Sequence, residues 1–255
     1  MAQFIKSEKS GHVLTIIMDR PHVMNALHAP ACHELSETLD AFQADPDIWV
    51  GVITGKGDRA FCAGHDLADG FDHPMPPTGW AGMAERTDIT KPLIGAVNGV
   101  AFGGGFEIAL CCDIVVADER ATFSMSEPRV GFVALGGGVQ RLSRQLPKSV
   151  AMELLLTGRR MSAEEALGWG IVSRVTPPGE VMAAAQHFTE ELLKCSPLAL
   201  RYTKELALYS TEGAPLAADI AAGRRRVKPA LRALRDTEEG VRAFLEKRKP
   251  LWQGR

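Results

Sequence analysis

Short, wholly apolar runs alternate with polar loops through the first half of the chain, and the pattern then turns helical. Residues 2–9 and 12–19 read as β-like, and Ser10-Gly11 between them predicts a hairpin that ends at Asp19-Arg20-Pro21. Leu35, Leu39 and Phe42 recur at helical spacing within 30–43. The runs 49–54, 93–97 and 113–117 are apolar and short, which predicts strands covered on both faces; 121–125 predicts a fourth short strand. Residues 55–90 read as one long loop rich in Gly, Asp and Pro, a length that in a compact domain usually marks function. Asn98-Gly99 predicts a turn, and Gly103-Gly104-Gly105 opens an apolar helix, FEIALCC. Helices are expected over 148–157, 162–168, 179–194, 197–210, 214–226 and 237–247, with one strand at 171–175. The strand–helix mixture gives way near Ser196-Pro197 to an almost purely helical tail. The pattern therefore predicts an α/β fold, with a core unit over 1–196 and a helical region over 197–255.

Composition narrows the function. The chain has 255 residues with 29 Lys and Arg against 31 Asp and Glu, a net charge of −2, which excludes a strongly basic body built to wrap nucleic acid. The basic cluster Arg224-Arg225-Arg226 with Lys228 reads as a solvated helix face or a subunit contact. Five cysteines, at 32, 62, 111, 112 and 195, contain no C-x-x-C pair, so neither a disulfide framework nor a zinc site is expected. The uncharged stretch Pro92–Phe106 contains five glycines and is shorter than the roughly 20 residues of a membrane span. The opening MAQFIKSEKSG has no apolar core of a secretory signal. A soluble, cytoplasmic protein with reduced thiols is the expectation.

Four segments carry candidate chemistry. A helix that starts in three glycines directs its first N–H groups and the positive end of its dipole outward, a setting for an oxyanion. Glu107, three residues past Gly104, is placed on the first turn and can face the same cavity, although a surface carboxylate at a favourable helix end would look the same. The segment Ala60–Leu67, AFCAGHDL, follows a buried strand and is small enough for a close backbone approach. His65 within it invites a general-base reading, against one in which its backbone matters and its ring does not. Glu127 precedes Pro128, which pushes it away from helical geometry and onto an extended corner. Gly136-Gly137-Gly138 predicts a turn before a helix carrying Gln140, Arg141 and Leu142. Together these features meet the needs of one chemistry. Acyl thioesters react at Cα and Cβ when the carbonyl oxygen can carry enolate charge. Two N–H donors aimed at that oxygen contribute roughly 2.7–4 kcal/mol each. One or two carboxylates near Cα and Cβ then move the protons.

Across almost its whole length the sequence also resembles the crotonase (enoyl-CoA hydratase/isomerase) superfamily. The resemblance rests on Arg20-Pro21 with Asn25-Ala26-Leu27, AFCAGHDL at 60–67, AVNGVAFGGGFEIALCCD at 96–113, FSMSEPRVG at 123–131, GGVQRL at 137–142, LTGRRMSAEEALGWGIVSRV at 156–175 and AFLEKR at 243–248. It implies a spiral of ββα turns with a C-terminal helical trimerisation region, assembled as a trimer or a dimer of trimers. It implies an oxyanion hole from the backbone N–H groups of His65 and Gly104, with Glu107 and Glu127 as the catalytic carboxylates. The implied reaction is syn addition of water to a trans-2-enoyl-CoA, or its reverse, as in fatty acid metabolism. Glu107 would activate the water and Glu127 protonate Cα, or the pair would act in concert. Coenzyme A would be bound by Val23, Met24 and Asn25, by Ala63, Gly64, His65, Asp66 and Leu67, and by Phe244 and Lys247 of a neighbour's last helix. It would be part of the substrate, with no metal and no redox cofactor. One departure is Ser126, where Pro is common before the second glutamate.

Within the superfamily the triple-glycine segment, LTGRRMSAEEALGWGIVSRV and the ending EKRKPLWQGR most resemble the carnitinyl-CoA dehydratases (crotonobetainyl-CoA hydratases). Acyl specificity is expected in the loop 68–90, with Pro74, Pro76, Pro77 and Trp80. Trp80 or Phe71 could present a cation–π face to a trimethylammonium group, or could simply pack in the core. An enoyl-CoA isomerase, which can work with one carboxylate, and an acyl-CoA decarboxylase with His after Ala-Gly are the alternatives in the same superfamily. An RNA-binding member of the fold is a third.

Overall fold

A computed structural model describes residues 3–70, 73–210 and 235–254, together with 222–225, 227 and 229. Among the described residues, ten strands form two sheets. The larger contains β1 (Ile5–Ser10), β2 (Val13–Met18), β3 (Val50–Gly55), β5 (Leu93–Val97), β7 (Ile114–Asp118) and β10 (Arg174–Thr176), in that spatial order. Only β1 runs antiparallel to its neighbour. Every residue of β3 and β5 is buried, as in parallel strands covered on both faces. Their side chains alternate between two cores. Val50, Val52, Ile94 and Ala96 face α6 (Val181–Leu193) through Val181, Ala184 and Ala185. Ile53, Leu93 and Val97 face the main core, with Leu35, Leu39 and Phe42 of α1 (Ala29–Ala44).

The smaller sheet contains β4 (Ala60–Cys62), β6 (Val100–Phe102), β8 (Thr122–Ser124) and β9 (Met161–Ser162). The chain climbs by placing one strand in each sheet and closing the turn with a helical piece: β5, β6, then α2 (Gly104–Leu110); β7, β8, then a 3-10 turn over Glu127–Val130. Because β4, β6 and β8 are mutually parallel, their C-terminal ends lie side by side. This brings together the residues after Cys62, Phe102 and Ser124, which are far apart along the chain.

Some expected elements moved. The strand expected at 171–175 is Arg174–Thr176, with Ile171 and Val172 buried in the turn before it. Strands β4 and β6 lie in segments that read as loop and turn. A helix α3 (Gly138–Gln145) follows the second glycine run; α4 (Lys148–Thr157) and α5 (Ala163–Gly168) follow as expected. The tail contains α7 (Pro197–Ser210) and α8 (Arg235–Leu245). Most of the helix expected over 214–226, with Arg226 and Lys228, lies outside the described residues, as does Phe71. The tail is tied to the core: Lys204 Nζ donates to Asp113 Oδ2 at 2.7 Å and to the Lys91 carbonyl at 2.9 Å. The end of the chain folds back through Trp252 Nε1, which donates to the Lys194 carbonyl at 2.9 Å.

Candidate active site

The three aligned strand ends open into a cavity of about 590 Å³. Ala63, Gly64, His65 and Leu67 follow β4; Gly103, Gly104 and Glu107 follow β6; Ser126 and Glu127 follow β8; all of them line the cavity. Gly64 sits at φ +97°, where a Cβ would come within 2.8 Å of the Phe102 carbonyl oxygen and 3.1 Å of the Gly104 nitrogen. The two loops can therefore approach only with glycine at 64. Gly104 is the first residue of α2, so its N–H has no acceptor inside that helix. At Gly105 a Cβ would run into the Cys62 carbonyl, so α2 presses directly on β4.

The segment 24–27 fixes the direction of the His65 backbone. Leu27 N–H donates to the Gly64 carbonyl at 2.8 Å, Asp66 N–H to the Leu27 carbonyl at 2.9 Å, and Ala63 N–H to the Met24 carbonyl at 3.0 Å. Asn25 is buried and uses its amide structurally: Oδ1 accepts from Arg20 N–H, and Nδ2 donates to the Lys56 and Ala60 carbonyls at 3.1 and 2.7 Å. Arg20 reaches Asp66 Oδ2 at 2.9 Å. His65 Nε2 lies 2.6 Å from the Gly70 carbonyl, so the ring is held by its own loop. Val23, Met24, Asn25 and Asp66 are not among the described residues lining the cavity. They brace the loop that does. Phe244 is 82% exposed on α8, Lys247 is exposed just beyond it, and neither lines the cavity of its own chain among the described residues.

The two glutamates face the cavity in different electrostatic settings. Glu107 is 3% exposed, and its Oε1 accepts the Gly138 N–H at 2.8 Å, at the start of α3. Burial pushes its carboxyl above the ordinary range; the Gly138 and Gly136 N–H groups and the nearby Arg141 guanidinium oppose that push. Glu127 has a buried Oε2 with no hydrogen-bond partner. Burial, with the Glu107 charge as a further cause, raises its pKa to about 7; its own backbone N–H works against this. Burial raises both carboxyls, but N–H donors and a guanidinium favour the carboxylate form of Glu107, while burial dominates at Glu127.

Glu127 does not sit on an extended corner. Ser126 is helical (φ −82°, ψ −3°), and Glu127 starts a 3-10 turn with Pro128 in its first positions, where the missing N–H is not needed. One wall of the cavity is Trp80, whose ring lies against Gly104 so closely that a Cβ there would run into it. Trp80 rides on a strained turn: Ala81 has φ +57°, and Gly82 is packed on the Ser36 backbone of α1. Sequence reasoning missed the way Gly136, Gly138 and Arg141 serve Glu107, and the apolar rim of Val130, Phe132, Val133 and Leu135. The GGVQRL motif was the available signal for the first; scattered exposed apolar residues gave none for the second.

Backbone N–H groups at two glycine-bearing strand ends face a cavity with two carboxylates, and the chain belongs to the enoyl-CoA hydratase/isomerase family, whose model matches residues 8–255. It is 40% identical over 265 residues to carnitinyl-CoA dehydratase from Proteus mirabilis (strain HI4320), with all of both chains covered. The same identity holds over 263 residues, again with full coverage, for carnitinyl-CoA dehydratase from Salmonella typhi. Among solved structures it resembles an enoyl-CoA hydratase from Mycobacterium tuberculosis H37Rv, with a TM-score of 0.93 and 35% identity over 99% of each chain. It also resembles one from Mycobacterium marinum, with a TM-score of 0.91 and 36% identity over 99% of this chain and all of that one. The crotonase-like spiral expected from the sequence is the fold observed.

Proposed function

We propose that the protein is an enoyl-CoA hydratase that adds water across a trans-2-enoyl-CoA or removes it from the 3-hydroxyacyl thioester, with the His65 and Gly104 backbone N–H groups as the oxyanion hole and Glu107 and Glu127 as the proton-transfer pair. The observation that carries this reading is the contrast between the glutamates: one carboxylate accepts an N–H from the start of α3, the other has a buried oxygen, Oε2, without a partner. In hydration, water oxygen bonds to Cβ and its proton passes to Glu107. The Cα=Cβ electrons move onto the thioester as an enolate held by the two N–H groups. Glu127 then gives its proton to Cα. Dehydration runs the same transfers backward, so both directions use a pair carrying one proton in total. Water and a proton move and no electrons are exchanged, so the chemistry calls for no redox group; coenzyme A arrives with the substrate. Among the described residues no cluster of three His, Cys, Asp or Glu could hold a metal, and no helix is long and apolar enough to cross a membrane.

The acyl group we favour is the carnitinyl/crotonobetainyl pair, supported by the names of relatives that match end to end. Trp80 offers an aromatic face to its trimethylammonium group. We further propose that 197–255 is a trimerisation region and that Phe244 and Lys247 complete a neighbour's CoA site, since exposed Val241, Phe244, Leu245 and Leu251 leave an apolar face uncovered. The test is loss of conjugated enoyl-thioester absorbance with crotonyl-CoA, longer trans-2-enoyl-CoAs and crotonobetainyl-CoA in parallel, with E127Q as control. Fast loss that collapses in E127Q, greatest on crotonobetainyl-CoA, is the expected result. No loss on any of them by a folded protein that binds acyl-CoA overturns the reading.

A further inference from the structure

Arg141 touches neither strand end of the cavity, yet it ties together two segments that form the site. Its Nη1 donates to the Gly136 carbonyl and its Nη2 to the Ala84 carbonyl, both at 3.1 Å. Gly136 and Gly138 belong to the loop whose N–H groups hold Glu107. Ala84 belongs to the turn that carries Trp80, the cavity wall lying on Gly104. Gly137, between the two donors, has φ +88°, and a Cβ there would run into the Arg141 guanidinium. The loop is therefore shaped around this side chain. We propose that Arg141 is a positioning residue that sets the orientation and ionisation of Glu107 by clamping the 136–138 loop, and that it couples this carboxylate to the Trp80 wall of the acyl pocket. A guanidinium is rigid, forked and always charged, so it bridges two carbonyls on separate segments while a net positive charge stands near the carboxylate. Among the described residues, Glu127, Arg141 and Cys111 act electrostatically with Glu107, and His65 and Glu85 line the same cavity, while Cys62 lies on the neighbouring β4. Burial pushes Cys111 up to about 11 and Cys62 up to about 12, so both stay neutral. Among the described residues, Arg141 is the cation whose charge acts on Glu107.

This inference rests on the hydratase reading, and wild type is the control that separates the two: an inactive wild type defeats that reading, and an active wild type lets the clamp be judged. The experiment measures kcat and KM against pH for wild type, R141Q and R141K on the best enoyl-CoA substrate. For R141Q the expected kcat loss is about 10–100-fold near neutral pH, the scale of a small misplacement of a reacting group, with KM for the CoA thioester changed by less than about threefold. Losing the cation disfavours the Glu107 carboxylate, so the acid limb of the kcat profile moves to higher pH. R141K keeps the charge and loses the fork, so its acid limb stays nearer wild type while kcat remains reduced. A circular-dichroism spectrum and Tm accompany each variant; if R141Q does not fold, R141K decides by the kcat loss alone. A folded variant with wild-type kcat and a superimposable pH profile overturns the proposal, as does a loss confined to KM.

Discussion

At the residue scale the account turns on two carboxylates that share a cavity and differ in partners. E107Q and E127Q should each lower kcat by about 10²–10⁴-fold, the usual worth of a positioned acid or base, while still binding acyl-CoA; single-turnover assays and a thioester-binding titration check this. The pH profile follows from the same contrast. Hydration needs Glu107 ionised and Glu127 protonated, so kcat/KM should fall below the raised Glu107 range and fall again as Glu127 loses its proton near 7. A stability effect accompanies it. The folded-state pKa of Glu127 lies above its ordinary value of 4.5, so the native protein is fully favoured below 4.5 and loses stability as pH rises through about 7. E127Q should therefore match wild type in unfolding free energy near pH 4 and exceed it by about 1–3 kcal/mol at pH 8, which denaturant unfolding at the two pH values checks. Both glutamates were legible in the sequence because each stands at a fixed offset from a glycine or proline that a strand–turn needs. Their unequal ionisation was not, since Gly138, 31 positions from Glu107, supplies the deciding hydrogen bond.

At the element scale the site is the meeting of three parallel strand ends, and the glycines after them set how closely the elements approach. G105A would drive a methyl group into the β4 backbone, which cannot move as a side-chain tip can. It should cost about 1–3 kcal/mol, and Tm should fall by several degrees. G104A meets the Trp80 ring, so it should disturb the acyl wall and lower kcat/KM more than it lowers Tm. Strands β3, β5 and β7 could be read directly, because five or six consecutive apolar residues between turns have one structural meaning. Strands β4, β6 and β8 are three residues long, too short to show a period, and two of them were hidden in loop and turn. Helix α3 was expected from its glycine turn and not from an apolar period: it is mostly polar, with Leu142 buried as its core anchor.

At the scale of the whole molecule the α/β class was visible as short apolar runs between helical stretches, while the spiral came with the family resemblance. The function was legible too, through the order of motifs along the chain. The assembly is a question of uncovered surface: the apolar face of α8 and the chain end beyond it should be buried between subunits, so sedimentation should give a trimer or a dimer of trimers. F244A should raise KM for CoA thioesters with little change for a truncated pantetheine thioester. The decisive experiment is incubation of crotonyl-CoA with the enzyme in H₂¹⁸O and D₂O, read by mass spectrometry of the product. A hydratase puts one ¹⁸O at C3 and one deuterium at C2, and E107Q and E127Q should lose both. Deuterium entering the acyl chain without ¹⁸O would contradict the hydratase reading and make the protein an isomerase.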